Sequence, residues 1–180
     1  MKVSHAPASH PSRVISIPDG VAGTRETLKL MADIVRSYKK DSTIRQMAGD
    51  LVQYCPSQSF MQEVKAIFQW VKNNVRYLQD VNEIETLQTP DVTLNIRRGD
   101  CDDHSVLLAS LLESIGHPCR FIALGYSQPG QFEHVYTQTL VGTDWVGLDS
   151  TVSASFAGWC PEPPYSSDIV TGKQIGRAHV

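Results

Sequence analysis

The sequence predicts an α+β domain in which helices come first and an antiparallel sheet follows. Three N-terminal segments carry apolar residues at spacings of three and four, and a fourth such segment runs from residue 101 to 115. Three short segments of strand character then follow in succession. A run of helices followed by a run of strands is typical of α+β architecture. We therefore expect the helix that begins at Cys101 to pack on the sheet.

The first two helices are predicted from their apolar stripes. One covers residues 24–40. The next follows directly, with Asp41 or Ser42 as its N-cap, and it ends before Cys55-Pro56.

A capping box predicts the start of the third helix. Ser59 is followed three residues later by Gln62, and an inward-facing apolar stripe then runs from Phe60 to Val71. A short extended segment is expected at Val75 to Leu78.

The segment that follows, to Arg98, has no apolar period and contains Thr89-Pro90, which favours a long ordered loop. Helical periodicity returns at Cys101 and stops at Gly116. The three predicted strands are Arg120 to Tyr126, Phe132 to Val141, and Trp145 to Val152.

Composition sets the domain limits. Residues 1–20 form a proline-interrupted polar arm that we expect to be mobile, residues 21–153 the folded domain, and residues 154–180 a Pro/Gly-rich tail. The chain has 180 residues, enough to bury a core without disulfides or a structural metal.

Charge and cysteine usage exclude several classes of function. The formal net charge is −3, and no cluster of more than two Lys or Arg occurs, which argues against a nucleic-acid or anionic-membrane partner. No apolar run is long enough for a membrane span. The N-terminus also lacks the apolar run that a secretion signal contains. The four cysteines form no CxxC pair, so we expect reduced thiols in a cytoplasmic setting.

Cys101 lies where a loop ending in Gly99-Asp100 becomes a helix. Its thiol is therefore expected beside the unpaired N–H groups and the positive end of the helix dipole, which stabilise a thiolate. Asp102 and Asp103 act in the opposite direction, because like-charge repulsion raises the pKa of a neighbouring thiol. A protonated His134 would compensate them as an ion pair with Cys101.

Strand parity predicts which groups meet this thiol. The two strands on either side of Gly142-Thr143 are expected to form a hairpin with a two-residue turn. Residues that lie opposite each other in this hairpin have numbers that sum to 285. His134 and Asp149 are then diagonal neighbours on one face, roughly 7 to 8 Å apart between backbones. A Cys, a His that takes its proton and an Asp that orients the imidazole are the requirements of thiol acyl transfer.

Four sequence features occur in a fixed order: Gly99-x-Cys101, Gly116-x-Pro118-x-Arg120, His134, and Trp145-x-x-Leu148-Asp149-Ser150-Thr151. Together they resemble the transglutaminase-like superfamily of papain-related thiol enzymes, over about residues 64 to 152. The resemblance implies a papain-like α+β fold with Cys101 as nucleophile, His134 as general base and acid, and Asp149 as orienting carboxylate. Members are crosslinking acyltransferases, amide hydrolases or proteases. The family often has an aromatic residue directly after the Cys and another after the His, and this sequence has neither.

The sequence thus predicts a thiol acyl-transfer enzyme acting on a protein or peptide substrate, without a cofactor. We favour hydrolysis over crosslinking, because a small domain has little room to recognise a large acceptor. The alternative is a catalytically silent domain of this fold that serves in binding or assembly. Oligomeric state is left open.

Two features of the site also remain open at this level. The Cys101 backbone N–H is one natural oxyanion donor, and the second could come from any of four side chains: Gln88, Gln69, Trp70 or Tyr77. A zinc site is a competing interpretation, with its ligands drawn from Asp100, Cys101, Asp103, His104 and His134.

Overall fold

The computed structural model describes residues 17–79, 86–128 and 130–162. These residues form five helices, two short paired strands and a three-stranded sheet. The elements in chain order are α1 Gly20–Tyr38, α2 Ser42–Val52, α3 Phe60–Asn74, β1 Arg76–Tyr77, α4 Pro90–Ile96, β2 Arg98–Gly99, α5 Cys101–Ser114, β3 Cys119–Leu124, β4 His134–Val141 and β5 Asp144–Leu148. The predicted α+β class is confirmed.

The main sheet has the order β3-β4-β5 and is antiparallel throughout. Thr137 lies opposite Leu148 and Val141 opposite Asp144, so the predicted hairpin register is confirmed. Gly142 takes φ +63° at the first turn position, where a two-residue hairpin turn favours glycine.

Helix α5 forms the centre of the domain. Every residue from Asp103 to Glu113 is buried, as expected for a helix that is covered on all sides. One side packs on β4 and β3, and α1, α2, α3 and α4 pack around the rest. The site that begins at its first residue is therefore held by the most deeply buried element of the fold.

The second strand pair joins β1 to β2 in parallel, with Tyr77 opposite Gly99. It ties the end of α3 to the residues that lead into α5. The extended segment predicted at Val75 to Leu78 is thus present, and its partner strand lies directly before Cys101.

Several predictions were wrong in detail. The expected loop before Arg98 contains α4, in which Pro90 is at the first helical turn and Arg97 ends the helix with φ +57°. The Thr89-Pro90 pair is therefore a helix start, since proline needs no hydrogen bond there. Ser59 makes no side-chain capping bond, so the predicted capping box is absent. Helix α1 begins earlier than expected, at Gly20.

The predicted strands are also longer than the observed ones, and β5 ends at Leu148 instead of Val152. The chain beyond this point turns away from the ladder. Part of the predicted tail, residues 154–162, packs against β5: the Gly158 amide donates to the Gly147 carbonyl at 2.8 Å, and Pro161 is buried.

Residues 1–16 and 163–180, most of the predicted arm and tail, lie outside the described residues. Within the described ranges, no helix combines the length and apolarity that crossing a bilayer requires.

Candidate active site

A capping box fixes the start of α5. The Asp100 carboxylate accepts the amides of Asp102 and Asp103, and the Asp103 carboxylate accepts the Asp100 amide in return. Gln88 donates to Asp103 through its backbone N–H at 2.7 Å and its side-chain amide at 2.6 Å. A Cβ on Gly99 would lie 2.5 Å from the Asp103 Cβ, which explains the glycine there. Cys101 is thus the first residue of a rigidly anchored helix.

The partly buried Cys101 thiol lies against strand β4. The Leu140 amide donates to the Pro118 carbonyl on the β3 side at 2.9 Å. Hydrogen-bond direction alternates along an antiparallel strand, so the polar groups of Val135 face the β5 side, where the ladder has already ended. The first turn of α5 fills that gap: the Val135 amide lies beside the Cys101 sulfur, and the Ser105 hydroxyl donates to the Val135 carbonyl at 3.4 Å.

The surroundings of Cys101 favour the neutral thiol. Burial raises its pKa most, and the negative charges of Asp102 and Asp100 raise it further. The sulfur also donates to the Asp102 carboxylate at 3.5 Å. The Val135 amide opposes these effects but is weaker. The prediction of a stabilised thiolate is therefore wrong for the free protein, because burial and two carboxylates outweigh the helix N-terminus.

His134 and Asp149 form a hydrogen-bonded pair just beyond the ladder. His134 Nε2 lies 2.7 Å from Asp149 Oδ2. The other carboxylate oxygen accepts the Thr151 amide at 3.0 Å and the Thr151 hydroxyl at 2.7 Å. Asp149 is 1% exposed. Its burial would raise its pKa, but the bonds from His134 and Thr151 hold the pKa below its ordinary value, so the carboxylate is charged and both its oxygens are used.

A second set of bonds fixes the segment that carries Asp149. The Ser155 hydroxyl donates to the Asp149 carbonyl. Lys72, from α3, donates to the carbonyls of Ser153, at 2.9 Å, and of Ser155, and reaches the Ser155 hydroxyl at 3.1 Å. The side chain of Lys72 thereby clamps the turn after β5 to the helical layer.

His104 is buried one turn after Cys101 and bonds elsewhere. Its Nδ1 lies 2.9 Å from the Ser150 hydroxyl, which ties α5 to the residue after Asp149. Burial lowers the pKa of His104 to about 4, and the Arg76 carbonyl and the Asp149 charge oppose that shift. The ring is therefore neutral at pH 7.

These bonds weaken the zinc interpretation. His104 and Asp103 are engaged in the contacts described above. Within the described residues, the donor atoms that gather within 4.8 Å of one another belong to Asp100, Cys101 and Asp102. Asp100 caps the helix, so this grouping is the acidic start of α5, and we make no metal assignment.

Two tyrosines flank the site. The Tyr77 ring lies 6.5 Å from the His104 ring, and the Tyr126 ring lies 6.5 Å from the His134 ring. Both are partly exposed, at 46% and 37%. Burial raises the pKa of each phenol, and the charges of Cys101 and Asp149 contribute to both shifts. Both tyrosines therefore lie close enough to the site to sense its charges.

Of the three predicted site residues, the structure joins His134 directly to Asp149 and places Cys101 beside Val135, the residue that follows His134. The sequence analysis missed Tyr126 and the clamp made by Lys72. Tyr126 ends the predicted strand that precedes the strand of His134. Pairing of these two strands could have indicated that the two side chains lie close together. Nothing in the sequence connects Lys72 to a turn more than 80 residues away.

An α+β fold with a cysteine at a helix start, next to a strand His that bonds to an Asp just after the neighbouring strand, is the architecture of papain-related proteins. The sequence profile of the transglutaminase-like superfamily matches residues 45–150, more than half of the chain. The chain belongs to this superfamily. Among curated proteins, none matches its sequence.

Solved structures agree on the fold. A candidate cysteine protease from Cytophaga hutchinsonii superposes with a TM-score of 0.51 at 22% identity, over 63% of this chain and 38% of its own. A candidate protease from Parabacteroides distasonis superposes with a TM-score of 0.53 at 16% identity, over 72% of this chain and 27% of its own. The chain thus spans less than two fifths of the length of either structure.

Proposed function

We propose that the protein is a thiol-dependent acyl-transfer enzyme that acts on peptide or carboxamide bonds of protein or peptide substrates. Cys101 is the nucleophile, His134 the general base and acid, and Asp149 the carboxylate that orients the imidazole. The observation that carries the proposal is the 2.7 Å bond between His134 Nε2 and Asp149 Oδ2. His134 is followed on its strand by Val135, whose backbone amide lies beside the Cys101 sulfur.

The neutral thiol determines how the reaction starts. Since Asp149 occupies Nε2, His134 Nδ1 takes the thiol proton as the sulfur attacks the substrate carbonyl carbon. The tetrahedral intermediate collapses to a thioester when the C–N bond breaks, and the imidazolium gives its proton to the leaving amine or ammonia. Water or an amine then attacks the thioester, and His134 accepts the proton of that second nucleophile. The C–S bond breaks as the product leaves, and the imidazolium returns its proton to the Cys101 sulfur.

The fixed position of the Asp149 carboxylate supports this order of reaction steps. Asp149 stabilises the imidazolium that forms in each half-reaction, and its second oxygen is saturated by Thr151, so it cannot rotate away. Proton transfer during the attack, instead of a preformed ion pair, is the route that fits a thiol whose pKa is raised.

Hydrolysis is the favoured outcome because the described domain is small and offers little surface for a second macromolecule. The test is to incubate the protein with glutamine-containing peptides, with and without a fluorescent primary amine, and to measure ammonia release, peptide cleavage and amine incorporation. Ammonia release or cleavage without incorporation is expected, and both must be lost in Cys101→Ala. Incorporation at a rate above hydrolysis would reassign the enzyme to crosslinking.

A catalytically silent binding domain is the second candidate, and one observation favours it: burial and Asp102 hold Cys101 protonated. A silent domain would show no Cys101 thioester with an activated ester. We further propose a cytoplasmic setting, which is supported by the four free cysteines.

A further inference from the structure

Acyl transfer needs two hydrogen-bond donors aimed at the carbonyl oxygen, and the capping box of α5 leaves one of them available. Asp100 takes the amides of the second and third helical residues. Among the described residues, no hydrogen bond uses the amide of Cys101, the first helical residue. The N–H of a first helical residue has no partner within its own helix.

Three of the four side chains that could supply the second donor make other contacts. Gln88 bonds to the Asp103 carboxylate at 2.6 Å. Gln69 bonds to Asn73 at 3.0 Å on the exposed face of α3. The Trp70 ring is covered by the Arg97 guanidinium, 4.6 Å from the ring centroid. The fourth side chain, Tyr77, is placed differently.

Strand β1 brings Tyr77 to the helix start. Tyr77 is the register partner of Gly99, and the Leu78 amide donates to the Gly99 carbonyl at 2.9 Å. Its ring lies 6.5 Å from that of His104, in the first turn of α5. The backbone of Tyr77 is therefore held at Gly99 and its ring lies at His104, and Cys101 lies between these two residues in the chain. The phenol senses the Cys101 charge more strongly than any other charge, after burial itself.

We propose that the Tyr77 hydroxyl is the second oxyanion donor, acting with the Cys101 backbone N–H. This inference rests on the proposed function. The Tyr77 side chain is 46% exposed, so a substrate can reach it. A phenol bears a proton at neutral pH, so it donates to the developing oxygen anion at no cost in ionisation.

Tyr54 supplies the matched control. It lies between α2 and α3, and its side chain is 90% exposed. Removing its hydroxyl makes the same chemical change as removing that of Tyr77, but away from Cys101, His134 and Asp149.

The experiment compares two reactions of Cys101. p-Nitrophenyl acetate acetylates the thiol through a tetrahedral oxyanion: the S–C bond forms, the bond to p-nitrophenolate breaks, and the thiol proton goes to His134. Iodoacetamide alkylates the same sulfur by displacing iodide, without an oxyanion. Both rates are measured by mass spectrometry in the native protein, Tyr77→Phe, Tyr54→Phe and Cys101→Ala.

We expect Tyr77→Phe to slow acetylation about 100-fold, the effect of losing one oxyanion donor, and to leave alkylation within about twofold of the native rate. Tyr54→Phe should change neither rate more than a few-fold. An unchanged acetylation rate in Tyr77→Phe, or an equal loss of both rates, would overturn the assignment of Tyr77 as oxyanion donor. Neither result would overturn the proposed function. Failure of the native protein to acetylate Cys101 would overturn the proposed function, and this inference with it.

Discussion

Asp102 raises the pKa of Cys101 more than any other charge in this structure, and replacing it should activate the thiol. Its carboxylate accepts the S–H at 3.5 Å and is the largest charge effect that raises the pKa of Cys101. In Asp102→Asn the shape is kept and the charge is removed. We expect the Cys101 thiolate to form at lower pH in this variant.

The magnitude follows from the separation. Two unit charges 3.5 Å apart interact by about 1 kcal/mol at the dielectric constant of water and by about 5 kcal/mol at an effective value of 20. For a partly buried thiol we take about 2 kcal/mol, which corresponds to a thiolate population about 30-fold larger at pH 7. A less basic thiolate is also less nucleophilic, with a Brønsted coefficient of about 0.4 to 0.5. The net rise in alkylation rate is about sixfold.

The assay is the pH dependence of iodoacetamide labelling at Cys101, with the labelled site assigned by mass spectrometry. Asp144→Asn is the control, because it removes an equal charge at the far end of the β4–β5 hairpin. The control should label like the native protein. An Asp102→Asn variant that labels at the native rate, with an unchanged midpoint, would contradict the electrostatic reasoning.

Three further predictions concern stability and orientation. Because the pKa of His104 is lowered to about 4, the unfolded chain binds a proton near pH 6.5 that the folded chain excludes. The free energy of unfolding should therefore fall by up to about 3 kcal/mol as pH drops from 6.5 to 4; urea unfolding of His104→Gln should lose this contribution, and an equal pH slope in both proteins would refute it. Asp149→Asn should slow acylation by roughly 10² to 10⁴-fold, and p-nitrophenolate release at the native rate would exclude an orienting role. Lys72→Met removes the donor to the carbonyl and hydroxyl of buried Ser155 and should cost about 1 to 3 kcal/mol, with faster hydrogen exchange in residues 149–155 that Lys72→Arg partly restores; exchange unchanged there would mean that the clamp does not hold Asp149.

The sequence predicted the parts of the fold that depend on local periodicity. The apolar stripes gave four helices, and the turn at Gly142 fixed the hairpin register. The parity of that register placed His134 and Asp149 on one face, where they bond. Side chains alternate between the two faces of a strand, so one extra residue in the loop would have placed His134 and Asp149 on opposite faces.

The rest depends on contacts between distant segments. Helix α4 has seven residues, too few for a clear period, and the proline that begins it also occurs in loops. The thiol pKa depends on burial by β4, which the position of Cys101 at a helix start could not show. The clamp joins Lys72 to Ser155 across 83 residues, and no local pattern encodes such a contact.

The most direct measurement is a mass-spectrometric peptide map of all four cysteines after brief exposure of the native protein and His134→Ala to p-nitrophenyl acetate at pH 7. We expect a thioester at Cys101 well before any at Cys55, Cys119 or Cys160. Its formation should slow at least about 100-fold in His134→Ala, since general-base catalysis contributes about 10² to 10⁴-fold. Acetylation of Cys101 no faster than of exposed Cys160, or at the same rate in both proteins, would contradict a Cys101–His134 acyl-transfer site.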